Sequence, residues 1–186
     1  MSYVSAMHDR MLAGLVIPCY VVAVDLAVAR VRVSDGAGWT SAWLRWHSQG
    51  AGKARHWRAP SLGEQGVLLS PSGEPAQGTF VPGLYGNGGD QPDNRDHVEV
   101  WRFEDGGSLI YDWQASSYSI DLPSGTVTLR VGSSSAVISA DAIQATAATV
   151  TVTGEVQING SLRVTGDIFG AGKIIDTGGN TANHKH

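Results

Sequence analysis

The sequence predicts an all-β protein in two dissimilar parts, a small antiparallel barrel followed by a slender β segment that needs further copies of itself. Three observations lead there. All six tryptophans, Trp39, Trp43, Trp46, Trp57, Trp101 and Trp113, lie in the first 113 of 186 residues. Beyond Trp113 the only aromatics are Tyr118 and Phe169, so that half must pack with Val, Ile, Leu, Ala, Thr and Ser. Throughout, short β-prone runs alternate with Gly, Pro, Asn, Asp and Ser, which are turn signals.

Residues 1–14 read as an N-terminal extension, with a short helix over Ser5 to Leu12. The apolar stretch from Met11 to Val24 is broken by Gly14 and Pro18 and is shorter than the roughly 20 residues of a spanning helix. Without a basic n-region before a clean apolar core, no secretory leader is expected, and synthesis in the cytoplasm follows. Cys19 has no internal disulfide partner and reads as a small buried thiol.

The barrel is placed over residues 15–86. "YVVAV", "ARVRV", "TSAWLRW" and "GVLLS" supply its strands, and the tryptophans are expected to fill its core. Residues 87–105 form the linker and the start of the shaft, in a region opened by the loop "YGNGGDQPDNRD". The shaft covers residues 106–176, where "SYSIDL", "TVTLRV", "SAVIS", "ATVTV", "EVQI" and "SLRV" read as strands. About 70 residues almost free of aromatics leave unpaired edges and too small an interior for one chain. A solenoid would show a regular repeat, and the turn spacings read as irregular. Intertwining of identical chains is therefore expected, with three favoured because a threefold axis closes a slender prism; periodicity alone does not establish the number.

The apex, residues 177–186, ends in "HKH". In an extended strand His184 and His186 project to one side and Lys185 to the other. Three chains would bring six imidazoles together, which suits one octahedral ion, Fe(II) ahead of Ni or Zn, whereas structural zinc usually takes four ligands.

Other motifs point elsewhere with less force. Gly36 to Gly63 holds Arg45, Lys53, Arg55 and Arg58 among four tryptophans with no acidic residue, a pattern that could cradle single-stranded nucleic acid on a small barrel. The first 113 residues nonetheless carry nine basic against twelve acidic side chains, so a protein partner is expected and a nucleic-acid partner is not. "GAGKA" and "GAGKI" lack the hydroxyl residue and upstream glycine of a phosphate loop. No nucleophile elbow or zinc-protease motif occurs, and His47, His56 and His97 have no triad spacing, so no enzyme is expected.

From Trp57 to Tyr85 the "APSLGEQG" turn, the "SGEP" hairpin and the "PGLY" exit, with the upstream "WLRWHSQGAGKARHW", resemble the baseplate assembly protein V family, the central spikes of contractile phage tails and of related bacteriocins such as R-type pyocins. The resemblance implies a homotrimer with an N-terminal OB-fold, a triple-stranded β-helix, and an apex where an H-x-H motif from each chain coordinates one iron ion. His184 and His186 are the matching residues. It also implies a baseplate hub protein at the OB-fold end and a target outer membrane that is pierced. Many relatives continue past the motif while this chain stops on its second histidine, so a more exposed apex is expected.

Overall fold

The computed structural model describes residues 3–172. They fall into two compact units divided between Pro123 and Ser124. His184 and His186 lie outside the described residues.

The first unit opens with helix α1 (Tyr3–Leu15), longer at both ends than expected and with no buried residue. Its contact with the turn Pro71–Gly73 is backbone against backbone: a Cβ on Gly14 would stand 2.7 Å from the Gly73 carbonyl oxygen, so only glycine permits the approach.

Five strands then build the barrel: β1 (Val16–Asp25), β2 (Arg30–Ser34), β3 (Arg45–Trp46), β4 (Gln65–Leu69) and β5 (Thr79–Leu84). Their hydrogen-bonded order is β2-β1-β4-β5-β3, with β3 parallel to β5 and the other pairs antiparallel. The two ends of this sheet meet where Val31 and Leu44 exchange backbone hydrogen bonds of 2.8 Å in both directions. That reciprocal pair brings β2 to the chain leading into β3 and nearly closes the ring in the OB-type order. Only Arg45 and Trp46 of the expected strand "TSAWLRW" are regular. The rest joins β2 through isolated bridges and the Ser41 side chain, which accepts from the Val33 amide at 2.9 Å.

Cys19, Val21, Val31, Val33, Leu44, Leu68 and Phe80 form the core. The expected tryptophan core is corrected here: Trp39 and Trp46 pack only against its edge, and Trp43, Trp57, Trp101 and Trp113 are exposed. The reason is room. A five-stranded barrel with Phe80 fully enclosed is filled by Val and Leu, and an indole on each strand would overfill it. Burial pushes the Cys19 thiol up to about 11, so it stays protonated and inert, as read from the sequence.

The "APSLGEQG" turn owes its shape to Glu64. One carboxylate oxygen accepts from Arg58 at 2.8 Å and the other from the Ser61 amide at 2.9 Å, while the Glu64 backbone bonds Val21 of β1. Gly66, two residues on, faces the Phe80 ring so closely that a Cβ would lie 2.6 Å from it. The motif thus seats β4 over the core.

A three-stranded antiparallel meander completes this unit: β6 (Val98–Arg102), β7 (Ser108–Asp112) and β8 (Ser117–Asp121). β6 and β7 are additional to the strands expected from the sequence; "VEVW" and "SLIY" lie either side of the turn "EDGG".

Candidate functional site

The second unit contains β9 (Thr126–Val131), β10 (Ser134–Ser139) and β11 (Ile143–Thr146), again an antiparallel meander. Register decides its chemistry. Val127, Ile138 and Ile143 form one cross-strand row, Leu129, Ala136 and Ala145 the next, and Val131 stands opposite Ser134. Directly paired residues share a face, so this face is almost wholly apolar. The other carries Thr126, Thr128, Arg130, Ser135, Ser139, Gln144 and Thr146, with Val137 alone among them. In the single chain the apolar face stays open: Leu129 is 70% exposed, Val131 84% and Ile143 80%.

Beyond Thr146 the described residues carry no strand, so "ATVTV", "EVQI" and "SLRV" do not form strands within one chain. A strand needs a neighbour for its N–H and C=O groups, and the chain supplies none here. What it does show is a repeat. The chain bends at Gly154, at 159–160, at 165–166 and at 171–172, with four unbent residues between successive bends. Gly154, Gly160, Gly166 and Gly172 recur every sixth residue. Four and two residues ahead of successive glycines, Val150 and Val152, Val156 and Ile158, and Leu162 and Val164 occupy equivalent positions of one parity, all exposed. The expectation of irregular spacing is therefore wrong from residue 150 onward. Mixed turn residues (Thr, Asn, Ser, Asp) around the breaks hid the period, which the glycines alone display. Short extended sides joined by regular corners suit a prism whose other sides come from other chains.

The remaining candidate sites do not assemble a reactive centre. In the basic, tryptophan-rich stretch, Arg58 is bonded to Glu64, Arg45 donates to Thr79 Oγ1 at 2.9 Å, and Trp46 packs on both the core and Trp57, ring centroids 5.5 Å apart. "GAGKA" is a turn closed by the bridge between Ala51 and Arg55. His47, His56 and His97 each engage a different partner: the His47 amide bonds Phe80, the His56 ring stands edge-on to Trp101 at 6.2 Å, and His97 Nδ1 lies 3.0 Å from Asp96. No cluster of three or more metal-ligating side chains occurs among the described residues. None of their helices is long and apolar enough to cross a membrane.

One charged cluster pins the chain where it enters β6. Arg95 bonds Asp93 at 2.8 Å and Asp112 at 3.4 Å, and Asp112 also accepts from the Gln114 and Ala115 amides. The Arg95 guanidinium holds the Asp93 carboxyl well below the usual carboxylate range, and the bond from His97 lowers Asp96.

The matches to known proteins divide the chain near the start of β6 rather than between Pro123 and Ser124. Residues 17–85, from β1 to the end of β5, match the type VI secretion system/phage-baseplate injector OB domain. Residues 99–170, from β6 through the six-residue repeat, match the Gp138 β-helical trimerization domain. The barrel is thus of the phage-baseplate OB type, and the stretch after it of the β-helical trimerization type. The spike protein of Escherichia phage P2 is 32% identical over 145 residues, covering 77% of this chain and 66%, just under two thirds, of that protein. An OB-type barrel followed by a β-helical trimerization domain is therefore the make-up of this chain, and the exposed apolar face and the repeat both lie inside the trimerization match.

Proposed function

We propose that this protein is the central spike of a contractile injection apparatus, a phage tail or an R-type pyocin baseplate: a non-enzymatic homotrimeric needle that punctures the target cell's outer membrane on sheath contraction. The observation that carries the reading is the six-residue repeat, with its equivalent apolar residues open to solvent inside a stretch matched to a trimerization domain. A chain built this way has no interior until two more copies wrap around it. Once wrapped, its strands are hydrogen-bonded across chains and cannot be peeled off one at a time. That suits a tip under load, because forced unfolding is governed by the unfolding rate.

In this reading the OB barrel meets the baseplate hub, and the particle is assembled in the producing cell's cytoplasm and released with the spike at its tip. His184 and His186 would hold one Fe(II) per trimer, their donor chemistry fitting the ion: two imidazoles of one parity from each of three chains make six nitrogens. The ion supplies a tie for three chain ends, and no reaction step is assigned to it. Ligation needs neutral imidazole, so iron retention should fall as pH drops through about 6.5.

The test combines light scattering with metal analysis. A trimer carrying one iron per three chains is expected, and the His184→Ala/His186→Ala double variant should lose the ion while remaining trimeric. A stable, folded single chain would sink the needle; a monomeric double variant would move the burden of assembly from the shaft to the apex.

A further inference from the structure

The repeat poses a problem of register. A slip of one chain by six residues sets Val150 and Val152 where Val156 and Ile158 belong, and Val156 and Ile158 where Leu162 and Val164 belong, with each glycine again at a corner. Apolar burial and corner geometry are nearly unchanged by that slip, so this segment specifies register only weakly. An element without the period has to set it.

The β6–β8 meander has such a surface. Its register places Glu99, Tyr111 and Tyr118 in one row and Trp101, Leu109 and Ile120 in the next, on a single face. Glu99, Trp101, Leu109, Tyr111 and Tyr118 line a depression of about 290 Å³ there. The indole N–H of Trp101 donates to Glu99 at 3.2 Å, and the Tyr111 and Tyr118 rings lie 6.4 Å apart. Trp101, Tyr111, Tyr118 and Ile120 all remain exposed in the single chain, Tyr118 at 62%. The opposite face carries Arg102, Ser108, Asp112, Ser117, Ser119 and Asp121, and its Val98, Val100 and Ile110 are half-buried.

We propose that the Trp101–Tyr111–Tyr118 face is a register-setting clamp between copies, covered in the assembly by a second copy of this chain. Occupancy by the same chain follows from continuity: the trimerization match starts at residue 99, inside β6, and runs unbroken to the repeat. Bulky rings of unequal shape fit one mutual arrangement, whereas small aliphatic residues at a fixed period fit several. No aromatic stands between Tyr118 and Phe169, so this face is where such information is concentrated. The inference rests on the trimeric spike reading.

The experiment uses the full chain in a Cys19→Ala background with Thr151→Cys as a nitroxide site. In-register trimers give one narrow label–label distance by pulsed electron paramagnetic resonance. Tyr118→Lys, and the milder Tyr118→Ser and Trp101→Ser, should add further, longer distances and raise the concentration at which trimers half-dissociate at least about tenfold. Ser119→Lys, on the other face of the same strand, should do neither. Equal effects of Tyr118→Lys and Ser119→Lys, or a single distance throughout, would overturn the clamp while leaving a trimer in place. Tyr118→Lys trimers that keep register yet lose a baseplate neighbour would also overturn it, assigning the face to another protein. A monomeric parent would instead refute the spike reading on which the clamp stands.

Discussion

Ile143→Ala isolates the apolar face of β9–β11. Within one chain Ile143 is 80% exposed, with Ile138 as its paired neighbour across the sheet. Its truncation should cost the isolated chain no more than about 1 kcal/mol, the span of strand propensity. If neighbouring copies cover the face, most of the side chain leaves water on assembly. Full burial of an isoleucine stabilises by roughly 1.5–3 kcal/mol, and truncation in a packed interior adds a cavity cost, so about 2 kcal/mol per copy is reasonable. Three copies lose about 6 kcal/mol per trimer, or about four decades in the trimer dissociation constant at 1.4 kcal/mol per decade. Sedimentation equilibrium across a guanidinium series reads that shift. Thr128→Ala, on the polar face of the same sheet, is the control and should move the equilibrium by less than one decade. Trimers of Ile143→Ala as tight as the parent, or equal shifts in the two variants, would show that the face is not covered by other copies.

Gly66→Ala forces a Cβ to 2.6 Å from the Phe80 ring and against the Val81 carbonyl oxygen, in a core with Phe80 fully enclosed; destabilisation of about 1–3 kcal/mol is expected as a lower urea midpoint at unchanged slope, and an unchanged midpoint would refute the packing account. Arg95→Gln should raise the Asp93 carboxyl toward its ordinary value near 3.9, followed by carboxyl carbon shifts in a pH titration. The sign is that of a depressed acid: the folded carboxylate is favoured above its unfolded pKa, and that contribution is lost as pH falls through the folded value, so the parent's advantage over Arg95→Gln should shrink in acid. Identical Asp93 titrations in the two proteins would remove Arg95 as the cause.

Much of the β architecture was legible because strands and turns are local. "ARVRV" becomes β2, "GVLLS" β4, and "TVTLRV" matches β9 residue for residue. β6 and β7 carry the same kind of signal, but the loop-like run of Gly, Pro, Asn and Asp just before them masks it. The repeat is present as well, in glycines six apart, beneath polar residues that change from one corner to the next. For the site, the low aromatic content beyond Trp113 was enough to call for further copies, because buried area scales with side-chain size.

Pattern and composition therefore settle the all-β class, the split into a tryptophan-bearing barrel and an aliphatic shaft, and the apolar parity of that shaft, since alternation and turn chemistry act over a few residues. Three-dimensional folding decides matters that depend on distant residues meeting. β3 runs parallel to β5, Val31 closes on Leu44, and Arg58 reaches the buried Glu64. Space inside the closed ring is likewise a property of the whole barrel, and it places Phe80 and small aliphatic residues within while most of the indoles stay outside. Side-chain type announces a tendency to bury; the volume that other strands leave behind selects which residues do so.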